Sequence, residues 1–182
     1  MRLMTRPFRG YRELAEAEAP PSIVIGAARF LLVVGAFVAI TATGRLAPFE
    51  TLSAMFSFAW LPVSHVIALT VVLRTFAPTV PFRRAYGLFL ESLGPWLLVF
   101  LLIAGACLFA PRPAGPVSVI LGPLIVVATI WSFVLVVALF REALGITRVR
   151  TALAAITFYV VMVSVVVGYY FAAGQLWPIL PW

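Results

Sequence analysis

Few side chains in this chain of 182 residues could do chemistry, and they lie far apart. Its one histidine, His65, and its one cysteine, Cys107, both sit within apolar runs. All six acids are glutamate and all thirteen basic residues are arginine, with no aspartate, asparagine or lysine. A lone histidine excludes bis-histidine haem ligation and any multi-histidine metal site within the chain. A lone cysteine excludes an intramolecular disulfide and a cysteine zinc site, and Cys107 reads as a small core hydrophobe. Without aspartate there is no carboxylate set of the kind that holds magnesium on aspartates or runs an Asp-based acid/base pair. Neither a Ser-His-Asp set nor an HExxH motif occurs, and no two acids share an apolar run. The expectation is a protein that is not an enzyme and carries no cofactor.

Four residues remain as candidate intramembrane polar sites: Arg29, His65, Glu91 and Glu142. His65 follows Pro62 by three positions, with Ser57 and Ser64 close by. Proline in a helix interior frees a carbonyl, here that of Phe58, and bends the helix. Polar side chains beside such a kink resupply lost hydrogen bonds, and they are also where a ligand or proton path would run. Arg29 lies seven positions inside an apolar run, so it either snorkels to the near interface or meets a partner at that edge, Glu91 or Glu142.

The elements that must position these groups are membrane spans. Residues that are 64% hydrophobic and 10% charged exceed the apolar share of a soluble globule. Five runs approach the twenty or so residues that a hydrocarbon core of about 30 Å requires, at about 22–43, 51–73, 93–110, 117–140 and 151–173. The fold class is therefore all-α integral membrane, with a lead over 1–21 and a single five-helix domain over 22–182. The third run is short, so its helix is expected to start earlier, with Ser92 as N-cap and Pro95 in the first turn. Gly122-Pro123 predicts a kink in the fourth span, and Trp131 within it is expected to serve packing. Gly35/Ala39, Ala128/Ser132 and Gly168/Ala172 are small residues four apart, the spacing that permits close helix approach. Trp177 and Trp182, beside Pro178 and Pro181, predict an interfacial aromatic anchor.

Between the second and third spans lies the longest polar interruption, RTFAPTVPFRRAYGLFLESLGPW over 74–96. Helical spacing puts Phe82, Tyr86, Phe89, Leu90 and Leu93 on one face and Arg83, Arg84, Gly87 and Glu91 on the other. The first face predicts a helix lying on the membrane surface, and the alternative is an ordinary connector with a half-buried helix. In the lead, Phe8, Tyr11, Leu14 and Ala15 predict a second interfacial helix ended by Pro20, with a disordered tail as the alternative.

Arginine placement gives the orientation. Ten of the thirteen fall before span one or between spans two and three or four and five, whereas only Arg45 and Arg112 fall on the other side. Such a bias over short loops places the amino terminus in the cytoplasm and the carboxyl terminus outside. Charge at span ends reads as topology, so nucleic acid is not an expected partner. Arg83, Arg84, Tyr86, Arg148 and Arg150 are the candidate contacts to anionic headgroups or to a protein partner, a second copy included.

The order of features resembles the YIP family of five-span membrane proteins, named for association with Rab-type GTPases. The likeness runs over about residues 5–173, through FAPTVPFRRAYGLFLESLGPW and WSFVLVVALFREALGITRVRTA. Tyr86 and Pro95 stand where bacterial members carry a tyrosine and then a proline opening span three. Arg141, Glu142, Gly145, Arg148 and Ala152 match the loop after span four. The resemblance implies a bacterial-type member in the cytoplasmic membrane. It does not carry GTPase binding, which in eukaryotic relatives is attributed to a longer soluble amino-terminal region. The expected function is a non-catalytic scaffold or adaptor with an arginine-rich cytoplasmic face. The alternative is a transporter or channel component built on the kinked second and fourth spans.

Overall fold

The computed structural model describes residues 2–17, 21–109 and 116–176. In order come α1 (Arg2–Thr5), α2 (Pro7–Glu16), α3 (Ile23–Thr43), α4 (Pro48–Ser57), α5 (Trp60–Phe76), α6 (Phe82–Glu91), α7 (Gly94–Phe109), α8 (Pro116–Ala138), a π-turn (Leu139–Ala143) and α9 (Arg148–Leu176). Among the described residues five helical stretches are long and apolar enough to cross a membrane: Ile23–Thr43, Pro48–Phe76, Phe82–Phe109, Gly122–Ala143 and Arg148–Ala172. The chain is thus an all-α protein of five-span architecture. The expected stop at 111–116, Pro20, Arg112 and the anchor of Trp177 and Trp182 involve positions outside the described residues or their described side chains.

Each boundary has a local cause. Ser22 opens α3 by accepting from the Ile25 N–H at 3.4 Å, and Gly44 closes it in the left-handed region at φ 71°, donating to the Ile40 carbonyl. Pro62 does more than bend the second span. It splits the span into α4 and α5, and the freed Phe58 carbonyl accepts from the Leu61 N–H at 3.0 Å in a tight turn. Pro123, in contrast, leaves α8 unbroken. The π-turn ends on Gly145 at φ 67°, with the Leu144 N–H reaching back to Leu139 and the Ile146 N–H to Phe140.

Close packing follows the small residues in part. Gly35 and Ala39 are buried where α3 meets α4, and a β-carbon on Gly35 would lie 2.7 Å from the Thr51 carbonyl oxygen. Ala128 and Ser132 are likewise buried. Gly168 is exposed, with nothing in reach of an added β-carbon, so among the described residues that pair joins no helices.

The central stretch departs from the surface-lying expectation. From Ala85 to Leu90 every residue of α6 is buried, because α6 inserts its apolar face against α3, α5 and the π-turn. Even Gly87, placed by spacing on the polar face, presses against the Pro21 carbonyl, leaving no room for a side chain. The helix pattern was right about which side is apolar; protein rather than lipid covers it. After α6, Ser92 does not act as an N-cap: its hydroxyl donates to the Phe89 carbonyl at 2.6 Å within the turn that leads to Gly94-Pro95.

Candidate functional site: a polar belt and an apolar cavity

Two groups of predicted residues are brought together, at different depths. The first lies at the end of the bundle where α2, α6 and the π-turn meet. Tyr11 of α2 is 0% exposed, and its hydroxyl donates to the Leu88 carbonyl at 3.4 Å. Burial, followed by the negative charge of Glu91, pushes the Tyr11 phenol above its usual value; the neighbouring Ser92 hydroxyl partly offsets this. The lead helix therefore docks on the protein through the face expected to dip into lipid.

Ion pairs tie the same elements. Glu142, carried on the π-turn, accepts from the Arg12 guanidinium at 2.6 Å, an arrangement that holds Arg12 above its usual pKa. Arg141 lies 3.4 Å from the other Glu142 oxygen and sits over the Phe8 ring. Arg29 meets Glu91 at 3.1 Å, with the two side chains 44% and 31% exposed. Of the two partners considered for Arg29, Glu91 is the one within reach, and Glu142 is taken by α2. Arg84 donates to the Ala15 carbonyl, so it also holds the lead helix. Arg74, Arg83, Arg148 and Arg150 are exposed, with no ion pair among the described residues.

Tyr86, a candidate lipid or partner contact, is 4% exposed. Its ring stacks between Phe82 and Phe89, with centroids at 5.5 and 6.2 Å, and its hydroxyl reaches the Pro62 carbonyl at 3.5 Å. Tyr86 thus braces the broken second span from inside.

The second group surrounds His65, which is 6% exposed and held between the rings of Phe30 and Phe89 at 6.1 and 5.1 Å. Ser64 donates to the Leu61 carbonyl at 2.7 Å and Ser57 to the Ser53 carbonyl at 2.9 Å, so both bond backbone of their own helices near the kink, while the freed Phe58 carbonyl is taken by the Leu61 N–H. His65 does not: its Nδ1 has no hydrogen-bond partner among the described residues. It borders a cavity of about 270 Å³ to which all five spans contribute. Ser132 of α8 lines the same cavity, also buried and with a hydroxyl that has no partner among the described residues. Sequence reasoning named Ser132 only as half of a small-residue pair; one serine in an apolar run does not disclose the direction it faces. Gly122 and Pro123 are exposed and do not line the cavity.

Among the described residues no three His, Cys, Asp or Glu side chains gather as a metal site. Fold and site together define a five-span helical membrane protein with an ion-paired belt at one end and a largely apolar internal cavity. Comparison with family models, with curated proteins and with solved structures finds no match to the chain.

Proposed function

We propose that this protein is a non-catalytic membrane adaptor of the YIP-like type, with its amino terminus in the cytoplasm, that engages an anionic surface through its arginine-rich face. One observation carries the reading. The two glutamates nearest the bundle at that end are neutralised internally by Arg12 and Arg29, whereas Arg74, Arg83, Arg148 and Arg150 are left exposed without an ion pair among the described residues. Positive charge in excess, set on rigid helix ends next to a bilayer, attracts anionic headgroups at about 1 kcal/mol for each arginine.

The test uses the purified chain in nanodiscs and vesicles containing phosphatidylserine. Replacing Arg83 and Arg148 together with glutamine weakens association by about 2 kcal/mol, near thirtyfold. His65→Phe leaves it unchanged. Arg84 is omitted from the set because its loss would also release α2. A normal affinity in the double arginine variant, with binding lost in His65→Phe, would replace this reading with the ligand-pathway alternative, which the cavity beside Pro62 favours.

A further inference from the structure

We infer that the cavity between the spans binds a neutral, single-tailed lipid whose head carries one hydrogen-bonding oxygen, a hydroxyl or a carbonyl. This inference does not depend on what the arginines meet. It rests on two polar groups that the fold buries and leaves unused. His65 and Ser132 come from different spans, are 6% and 7% exposed, and line one cavity with Nδ1 and Oγ unpartnered among the described residues. The large majority of buried side-chain polar atoms in native structures find a partner, so two orphans at one cavity point to a missing one. Two other hydroxyls on the wall are already committed: Ser64 donates to Leu61 and Ser92 to Phe89.

The surroundings fix the class of ligand. Among the described residues no charged side chain lines the cavity, so a carboxylate or ammonium head would enter without a counter-ion. Imidazole Nδ1 can donate or accept according to tautomer, and a serine hydroxyl can do both, which suits a hydroxyl or carbonyl head. A second cavity of about 240 Å³ adjoins the first, sharing Leu61, Phe100 and Val166, and leads to Trp60 and Tyr170. From Phe158 to Tyr170 the two cavities follow α9 for about 18 Å of helical rise. An oxygen head at His65 and Ser132 with an apolar tail toward Tyr170 fills that shape. Bound water would satisfy the two orphans but leave the apolar extension without an occupant.

The experiment labels the chain in nanodiscs with a diazirine derivative of hexadecanol and maps the adducts by mass spectrometry. Saturable labelling is expected within residues 58–65 and 158–170. Unlabelled hexadecanol should compete about tenfold better than hexadecane, the difference that one hydrogen bond to a buried orphan makes, and better than palmitate. Ser132→Ala, which removes a single oxygen from the wall, should reduce the preference for alcohol over alkane, and His65→Phe with Ser132→Ala should abolish it. Folding of each variant is checked by thermal melting, and Ser132→Ala carries the test if the double variant fails to fold. Labelling that does not saturate would leave a cavity filled by water or bulk lipid and overturn the inference. Equal competition by hexadecane or palmitate in the wild type would also overturn it. So would an alcohol preference unchanged in Ser132→Ala.

Discussion

The two ends of the bundle pack differently. Around α2, α6 and the π-turn, Tyr11, Leu88, Leu139, Phe140 and Ala154 are fully buried. Toward the far end of α9, Val163, Val167, Tyr169, Tyr170 and Phe171 are exposed, and a β-carbon added at Gly168 would meet nothing within 4 Å among the described residues. Apolar content cannot cause this difference, because lipid tails solvate leucine as well as another helix does. At the water boundary, however, burying an apolar face gains hydrophobic free energy and ion pairs can select a register. The belt of Arg12, Glu142, Arg29 and Glu91 lies at that tighter end.

The contrast can be broken most strongly at Tyr11. Tyr11→Ala removes a fully buried ring and should destabilise docking of α2 by about 3 kcal/mol or more, read as protease cleavage within residues 2–17 while the spans stay protected. The same residue predicts a loss at alkaline pH. Its folded pKa is raised above the unfolded value of 10, so its contribution is complete below that pH and declines as pH rises through it. The alkaline release of α2 should be absent in Tyr11→Phe.

Glycine substitutions sharpen the comparison at the next level. Gly35→Ala places a β-carbon against the Thr51 carbonyl and should cost about 1–3 kcal/mol, measured by unfolding of the detergent-solubilised protein. Gly168→Ala meets open space and should be neutral or stabilise by about 0.5 kcal/mol through helix propensity. Equal losses at the two glycines would mean that the far end is closely packed after all.

Among the expected losses the smallest is at Arg29. From sequence, an arginine seven positions inside a span invites a penalty of several kcal/mol when its partner is lost. The observed pair is about one-third to one-half exposed, which lowers the expectation for Arg29→Leu to about 1 kcal/mol or less. Adding Glu91→Gln should recover part of it in the same melting assay, and Glu142→Gln should not.

Spans were legible because hydropathy reports length directly, and the site of disruption in the second span was legible from Pro62, though the sequence predicted a bend there and not a break, and Pro123 leaves α8 unbroken. The apolar faces of α2 and α6 were legible too, through helical spacing. Their covering was not, since periodicity identifies a side and is silent about whether lipid or protein lies against it. Phe82, Tyr86 and Phe89 would give the same pattern in either case. No residue type announces a π-turn, so the element that carries Glu142 to Arg12 left no mark in the sequence. His65 was noticed for its rarity, yet its companion Ser132 came from a span some seventy residues later.

The docking of α2 also constrains biosynthesis. Tyr11 and Arg12 are made before their partners, Leu88 and Glu142, which come only with the third and fourth spans. Until then the helix has a face with nothing to bury it and a charge with no mate, in a chain whose segments fold as they emerge. Its seating therefore registers that the fourth span has been inserted and turned. A chain lacking residue 142 presents α2 loose to proteases and chaperones, and one that has it withdraws the helix.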